Sequence, residues 1–334
     1  MGVLCLAACA GLPPGEPTST PGGQASPTLV TTVEAPASAP RLAPSHTPVP
    51  TAAPTETPVL VTLVGAGDIA VCDTPGAEIT ARLIEQTLKE RGQVSGAAVF
   101  TAGDNTNELR TGPVSLIPCF DQTWGRFKER IRPAPGNHEY FFSGASDYFA
   151  YFDPAAGAPG QGWYSYDLGG WHILVLNSEC DQVGGCQAGS SQETWLKADL
   201  AAHPARCSLA IWHRPRFSSG YHGSSAVTQD LWNDLYAAGA EMVISGHDHD
   251  YERFAPMDAG GVLDPVQGIT QFVVGTGGVP GPGSIRSTHA ANSQVIITGV
   301  YGVLKLSLYP DGYAWAFVAQ PGKTESDRGS GECH

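Results

Sequence analysis

The chain has 334 residues, 42% of them hydrophobic, and a formal net charge of −14 at pH 7. Length and apolar content support a sizeable core, in one large α/β domain or two small ones. The acidic balance argues against a polyanionic partner such as nucleic acid, because counterion release needs a basic face.

Residues 1–9 are a brief apolar run closing on Leu6-Ala7-Ala8-Cys9, which resembles a bacterial lipoprotein signal with Cys9 as the lipidated residue. The run lacks the basic start and full apolar length of a secretory signal, so either the chain's true start lies elsewhere or the signal is short. A tail with two incidental cysteines is the bland alternative. Residues 10–58 are rich in Pro, Thr, Ala and Ser without apolar periodicity and read as a disordered linker. The folded domain is expected over 59–334. No stretch is long enough to span a membrane.

From residue 59 a strand runs to 64 and meets Gly67-Asp68. Thr74-Pro75 then starts a helix over 75–91, with Ile79, Leu83, Ile84 and Leu88 at helical spacing. A strand over 97–101 leads into Gly103-Asp104-Asn105, and Trp124, Phe127 and Ile131 suggest a second amphipathic helix. The run Ile131-Arg132-Pro133-Ala134-Pro135 leads into Gly136-Asn137-His138-Glu139. The aromatics Tyr140, Phe141, Phe142, Tyr148, Phe149, Tyr151 and Phe152 read as core, with a substrate mouth near Asn137 as the alternative. Trp163 to Tyr166 and Trp171 to Leu176 form a hairpin ending in a buried strand. Ser190 and Glu193 have capping-box spacing and open a helix with Trp195, Leu196 and Leu200. Strand 208–212 ends at His213. A helix with Leu231, Trp232, Leu235 and Tyr236 stops at Gly239. Strand 241–244 then runs into Gly246-His247-Asp248-His249. Beyond Ile269 the pattern becomes antiparallel, with strands 271–274, 303–308 and 313–318, expected to complete a second sheet against the first.

In an open α/β sheet, functional groups gather beyond the carboxyl ends of strands. Five apolar runs here end in carboxylate, amide or imidazole, and glycine directly precedes Asp68, Asp104, Asn137 and His247, as a sharp turn would require. Carboxylate, amide oxygen and imidazole together are the ligand set of first-row metal ions, in number enough for two. Six cysteines remain after Cys5 and Cys9: Cys72, Cys119, Cys180, Cys186, Cys207 and Cys333. An even count in an exported chain suggests disulfides. Cys180 and Cys186 bracket a Gly-rich loop, a Cys207 to Cys333 bridge would pin the carboxyl terminus, and Cys72 and Cys119 are left. Fifteen connectivities are open. Zinc binding by cysteine is the alternative, and no Cys-x-x-Cys supports it.

The ordered series Gly67-Asp68, Gly103-Asp104-Asn105, Gly136-Asn137-His138-Glu139, His213 and Gly246-His247-Asp248-His249 resembles the calcineurin-like metallophosphoesterase superfamily, and within it the purple acid phosphatase branch. Ala70, where the superfamily often has histidine, agrees with that branch. The resemblance implies an α/β helix-sheet-sheet-helix sandwich and two metal ions. One ion would take Asp68, Asp104 and His249, the other Asp104, Asn137, His213 and His247, with Asp104 as bridge. A water acidified by the pair would attack phosphorus, and His138 would contact phosphate or protonate the leaving oxygen.

His222 lies in a Gly/Ser loop and is a candidate phosphate contact, with a solvated loop histidine as the alternative. Arg253 could touch phosphate or pair with an acid. Asn105 and Asp248 could ligate or back the ligands, and Asp250 could orient histidine rings or face water. His172 and His203, outside the series, read as structural. The branch carries a tyrosine three residues after the bridging aspartate, whose phenolate binds ferric iron. Here that residue is Asn107, which points to a colourless protein with divalent zinc, manganese or iron.

The expected function is a secreted or membrane-tethered phosphomonoesterase acting on small phosphorylated substrates to scavenge phosphate. Two divalent ions held by only two formal carboxylates keep the site locally positive despite the acidic surface. A phosphodiesterase or nucleotide hydrolase on the same core is the alternative within enzymes. A surface protein that binds phosphate ligands without turnover is the alternative of another class.

Overall fold

The computed structural model describes residues 60–89, 96–107, 117–279 and 284–334. The expected linker and Cys9 lie outside them. In chain order the main elements are β1 (Val61–Ala66), α1 (Gly76–Lys89), β2 (Ala97–Ala102), α2 (Ile117–Asp121), β3 (Ile131–Ala134) and α3 (Ser146–Phe152). Then come β4 (Tyr164–Leu168), β5 (Trp171–Val175), α4 (Ser191–Ala202), β6 (Cys207–Ile211), α5 (Gln229–Ala237) and β7 (Met242–Ser245). The chain closes with β8 (Tyr251–Phe254), β9 (Thr270–Val274), β10 (Ser293–Ile297), β11 (Gly302–Tyr309), β12 (Gly312–Ala319) and β13 (Arg328–Glu332).

These strands make two mixed sheets, of order β13-β12-β11-β1-β2-β3 and β10-β8-β9-β7-β6-β5-β4. Side-chain alternation along each strand sorts the core into layers. In the second sheet Ile173, Val175, Leu209, Ile211, Ile244 and Phe272 join the cluster that also holds first-sheet residues. Their neighbours Leu174, Ala210, Trp212, Val243 and Val273 pack instead with Leu196 of α4 and Leu231, Trp232 and Leu235 of α5. Helix α1 covers the first sheet at β1 and β11. The helix-sheet-sheet-helix sandwich is thus the observed architecture.

Two expectations change, and one strand was not foreseen. The C-terminal strands do not form the second sheet together: β9 pairs parallel with β7, while β11 pairs antiparallel with β1 and extends the first sheet. The second amphipathic helix is absent. Its segment is the short α2, then a 3-10 turn over Trp124–Arg130, and Ile131 opens β3. The break falls at Thr123, whose backbone is non-helical and whose hydroxyl donates back to the carbonyls of Cys119 and Phe120. Trp124 stays fully buried, its indole N–H donating to Ala77 O and Thr80 Oγ1 on α1. The edge strand β13 is Arg-Gly-Ser-Gly-Glu, whose charges and glycines hide it from a hydrophobic pattern and suit an exposed edge.

The helix opened by Ser190 forms as expected, Ser190 Oγ accepting from the Glu193 N–H at 3.2 Å. Disulfides join Cys72 to Cys119, Cys180 to Cys186 and Cys207 to Cys333. The last ties the start of β6, in one sheet, to the end of β13, in the other.

Candidate metal centre

Five strands, three in one sheet and two in the other, deliver the site. Asp68 follows β1, Asp104 follows β2 and Asn137 follows β3, all from the first sheet. His213 follows β6, and His247 and His249 follow β7 in the second. The seam between them is pinned by backbone: Gly67 N–H donates to Val274 O at 2.9 Å, and His247 N–H donates to Asp68 Oδ2 at 2.7 Å. The preceding glycines serve closeness more than turning. A Cβ on Gly136 would stand 2.3 Å from Asp104 Oδ1, and one on Gly246 2.6 Å from Asp68 Oδ2. Three of the candidate residues are strained, as are Asp73, Ala145 and Asn292 elsewhere: Asp68, Asp104 and His247 adopt positive φ of 57°, 49° and 72°. Non-glycine residues hold that region only where surrounding structure enforces it.

The side-chain atoms converge. Nε2 of His213 lies 3.1 Å from Asn137 Oδ1, 3.1 Å from His247 Nδ1 and 3.4 Å from Asp104 Oδ2. On the other side, His249 Nε2 lies 3.4 Å from Asp68 Oδ1. Asp68, Asp104 and His213 form a fully buried group whose ligand atoms lie within 4.8 Å of one another. Nδ1 of His213 bonds the Ala102 carbonyl at 2.9 Å, so in the neutral ring the proton stays on Nδ1 and the Nε2 lone pair would face the cluster. Two buried carboxylates this close need positive charge. Burial alone raises the Asp104 carboxyl and lowers the His213 imidazole. Their mutual attraction overrides both, holding Asp104 well below the carboxylate range and lifting His213 to about 10. Burial, with the charges of His213 and Arg214, pulls His247 down to about 2. The donor set therefore fits two metal ions, with Asp104 at the centre.

A calcineurin-like phosphoesterase model matches residues 62–251, a span holding every one of these groups. The chain belongs to the calcineurin-like phosphoesterase family. It is 30% identical over 174 residues to purple acid phosphatase 15 of Arabidopsis thaliana, covering 46% of this chain and 32% of that protein. It is 29% identical over 215 residues to Arabidopsis purple acid phosphatase 23, covering 54% and 46%. The chain thus spans between a third and a half of these curated relatives. Among solved structures it resembles a purple acid phosphatase from yellow lupin seeds, with TM-score 0.66 and 18% identity over 82% of this chain and 54% of that one. It also resembles GAP50, the anchor in the inner membrane complex of Plasmodium, with TM-score 0.61 and 15% identity over 80% and 88%.

Around this family centre the other candidates separate. His138 is brought in: its N–H donates to Asp104 Oδ1 at 2.9 Å and its Nε2 lies 3.6 Å from Asp104 Oδ2. His222 is brought in too, its ring 4.1 Å from that of His247, with burial lowering its pKa. Asn107 donates from Nδ2 to Asp68 Oδ1 at 3.2 Å and Asp104 Oδ2 at 3.1 Å. Asn105 turns away, its Nδ2 donating to Ala134 O.

Arg253 is not at the site. It lies on β8 and pairs with Asp327 at 2.7 Å, so of its two expected roles the ion pair is the one formed. Among the described residues Asp248 makes no hydrogen bond to a histidine ring. Its oxygens accept from the N–H groups of His222 and Gly223 and from Ser218 Oγ, and so hold the loop that carries His222. Asp250 is buried, with neither carboxylate oxygen hydrogen-bonded among the described residues, and burial with its acidic neighbours raises its pKa.

Two groups escaped the sequence reading. Glu139 accepts backbone N–H bonds from Asp104 and Asn105 on one loop and Gly136 on the next, at 3.0, 2.8 and 2.6 Å. It clamps the Asp104 loop to the Asn137 loop. Arg214 lies beside His247 and is bound to Glu179. Adjacency to His213 and Asn137 was the only available signal. The aromatic cluster is mostly core, as expected: Tyr148, Phe149 and Phe152 are buried, while Phe141 is 58% exposed and stands against the His138 ring at 4.6 Å.

Proposed function

We propose that this chain is a dinuclear metal-dependent phosphomonoesterase acting outside the cytoplasm on small phosphorylated substrates. The observation that carries this is the convergence of Asp68, Asp104, Asn137, His213, His247 and His249 on one seam, with His138 and His222 at its open side. Two divalent ions bound there would supply the positive charge that binds phosphate and acidifies a water. Asp104 would bridge them, Asp68 and His249 would complete one coordination set, and Asn137, His213 and His247 the other.

The remaining work falls to the protein's own groups. His138 is held by its backbone bond to Asp104, beside a cleft of about 470 Å³ that Asn137, Tyr140 and Phe141 line. Its imidazole would give a proton to the departing oxygen, which otherwise leaves as an alkoxide. Glu139 keeps Asp104 and Asn137 in register. Asn107 stands where a phenolate would bind ferric iron, so divalent zinc, manganese or iron is proposed and the purified protein should show no visible charge-transfer band. Three disulfides support an oxidising compartment, and a lipid tether at Cys9 belongs to the same proposal. No helix among the described residues is long and apolar enough to cross a membrane.

The test is phosphate release from an aryl phosphomonoester and the matching diester, using protein stripped by chelator and refilled with zinc, manganese or iron. Metal-dependent monoester turnover is expected. Turnover of the diester alone would make it a phosphodiesterase. Two bound ions without turnover would make it a phosphate-binding module.

A further inference from the structure

The backbone N–H of Arg214 donates to Ser178 Oγ at 2.8 Å. Its guanidinium is gripped along one edge by Glu179: Nε donates to both carboxylate oxygens at 2.8 and 3.1 Å, and Nη2 to one at 2.9 Å. The Glu179 side chain is only 8% exposed, so this anchor is fixed. The remaining terminal nitrogen, Nη1, lies 3.2 Å from Nε2 of His247.

The other ring nitrogen of His247, Nδ1, is the one that faces His213 Nε2 at 3.1 Å, inside the ligand cluster. A neutral imidazole that commits its Nδ1 lone pair to an ion keeps its proton on Nε2. Nε2 of His247 and Nη1 of Arg214 are then two donors 3.2 Å apart, neither able to accept from the other. Such a pair calls for an anionic oxygen between them. The cleft that Arg214 lines contains Asn137 as well, so that oxygen would belong to a group already at the metal centre.

We infer that Arg214, held by Glu179, binds a non-bridging oxygen of the substrate phosphate together with His247 Nε2–H, and that this contact favours phosphomonoesters over diesters. It rests on the phosphomonoesterase reading above. A monoester dianion offers three non-bridging oxygens and two charges, whereas a diester offers two oxygens and one charge. A fixed guanidinium therefore attracts the monoester more strongly. Glu179 is a positioning residue: it touches no substrate and aims the fork.

The experiment measures KM and kcat on aryl phosphomonoester and diester for the metal-loaded wild type, Arg214→Ala, Arg214→Lys and Glu179→Gln. Inorganic phosphate binding by calorimetry and metal content are read on the same samples. Arg214→Ala should raise monoester KM and the phosphate Kd by roughly 10- to 100-fold, the weight of a charge-assisted hydrogen bond. Two ions should remain bound, and diester KM should change several-fold less. Arg214→Lys, the variant to rely on if the alanine protein misfolds, should lose part of the monoester preference because it keeps charge without the fork. Glu179→Gln should weaken phosphate binding if aim matters, although it removes a nearby negative charge.

Tighter phosphate binding by Glu179→Gln would overturn the positioning role. Unchanged monoester KM and phosphate Kd in both Arg214 variants would overturn the contact itself. Equal loss on monoester and diester would overturn the selectivity. A wild type that turns over neither ester would remove the reading beneath the proposal, an outcome distinct from all of these.

Discussion

Two clusters of histidine and aspartate occur among the described residues, and they are built in opposite ways. At the seam, Asp68, Asp104 and His213 share one buried point, and Nδ1 of His213 is engaged by a backbone carbonyl so that Nε2 faces inward. On the second sheet, His172, Asp199 and His203 also lie within ligand distance of one another. There His172 spends both ring nitrogens, on Asp167 at 2.9 Å and Asp199 at 2.8 Å, and Asp199 also accepts from Ser165. The His172 and His203 rings stack, 17° from parallel with centroids 4.8 Å apart. Stacked rings aim their in-plane lone pairs along separate planes and do not meet on one ion. The same residue types thus serve chemistry where hydrogen bonding leaves converging acceptors, and structure where it consumes them.

Substitution at each cluster tests this contrast. His213→Ala should lower turnover on the order of 10³-fold or more and reduce the bound metal, because it removes a proposed ligand from a charge-stabilising site. Metal analysis beside the assay checks it. His138→Ala should lower kcat by roughly 10²- to 10⁴-fold, the usual weight of a general acid, while both ions stay bound. Loss of an ion there would move His138 from acid to ligand. His172→Ala should cost about 1–3 kcal/mol in denaturant unfolding, since it leaves a buried carboxylate short of a partner. Its turnover and metal content should stay at wild-type levels. A missing ion in that variant would erase the distinction between the clusters.

The smallest effect concerns α4, the helix that also supplies Asp199. Asp234 on α5 is raised to about 6 by burial and then by the charge of Glu193 on α4. A carboxyl whose folded pKa exceeds its unfolded value near 3.8 holds its proton more tightly when native. Its favourable contribution is complete below about pH 4 and is lost as pH rises through about 6. Asp234→Asn should therefore flatten the melting temperature profile between those values and raise the melting temperature at pH 7. A steeper profile would count against the pairing.

The proposed ligands were legible because each follows an apolar strand within a few residues, so the signal is local. Arg214 and Glu179 were not, since their pairing spans 35 residues and depends on two strands lying side by side. Which acid Arg253 would pair with was hidden for the same reason. Its partner Asp327 lies 74 residues onward, beyond any local pattern. The glycines were correctly tied to the site for an incomplete reason: turning was inferred, while the dominant demand is the near contact of two loops. Strands β10 and β13 escaped because edge strands need little apolar alternation, and the placement of β9 and β11 in different sheets is decided by packing alone.

The Cys207 to Cys333 bridge carries a consequence for handling the protein. It joins the sheets at the amino end of β6, whereas His213 stands past the carboxyl end of the same strand. The two sheets are therefore covalently hinged at one end, and the proposed ions fasten them at the other. Chelation should loosen the mouth while the hinge keeps the halves in register, so emptied protein should refill readily. Reduction together with chelation releases both fastenings, and recovery should then become slow.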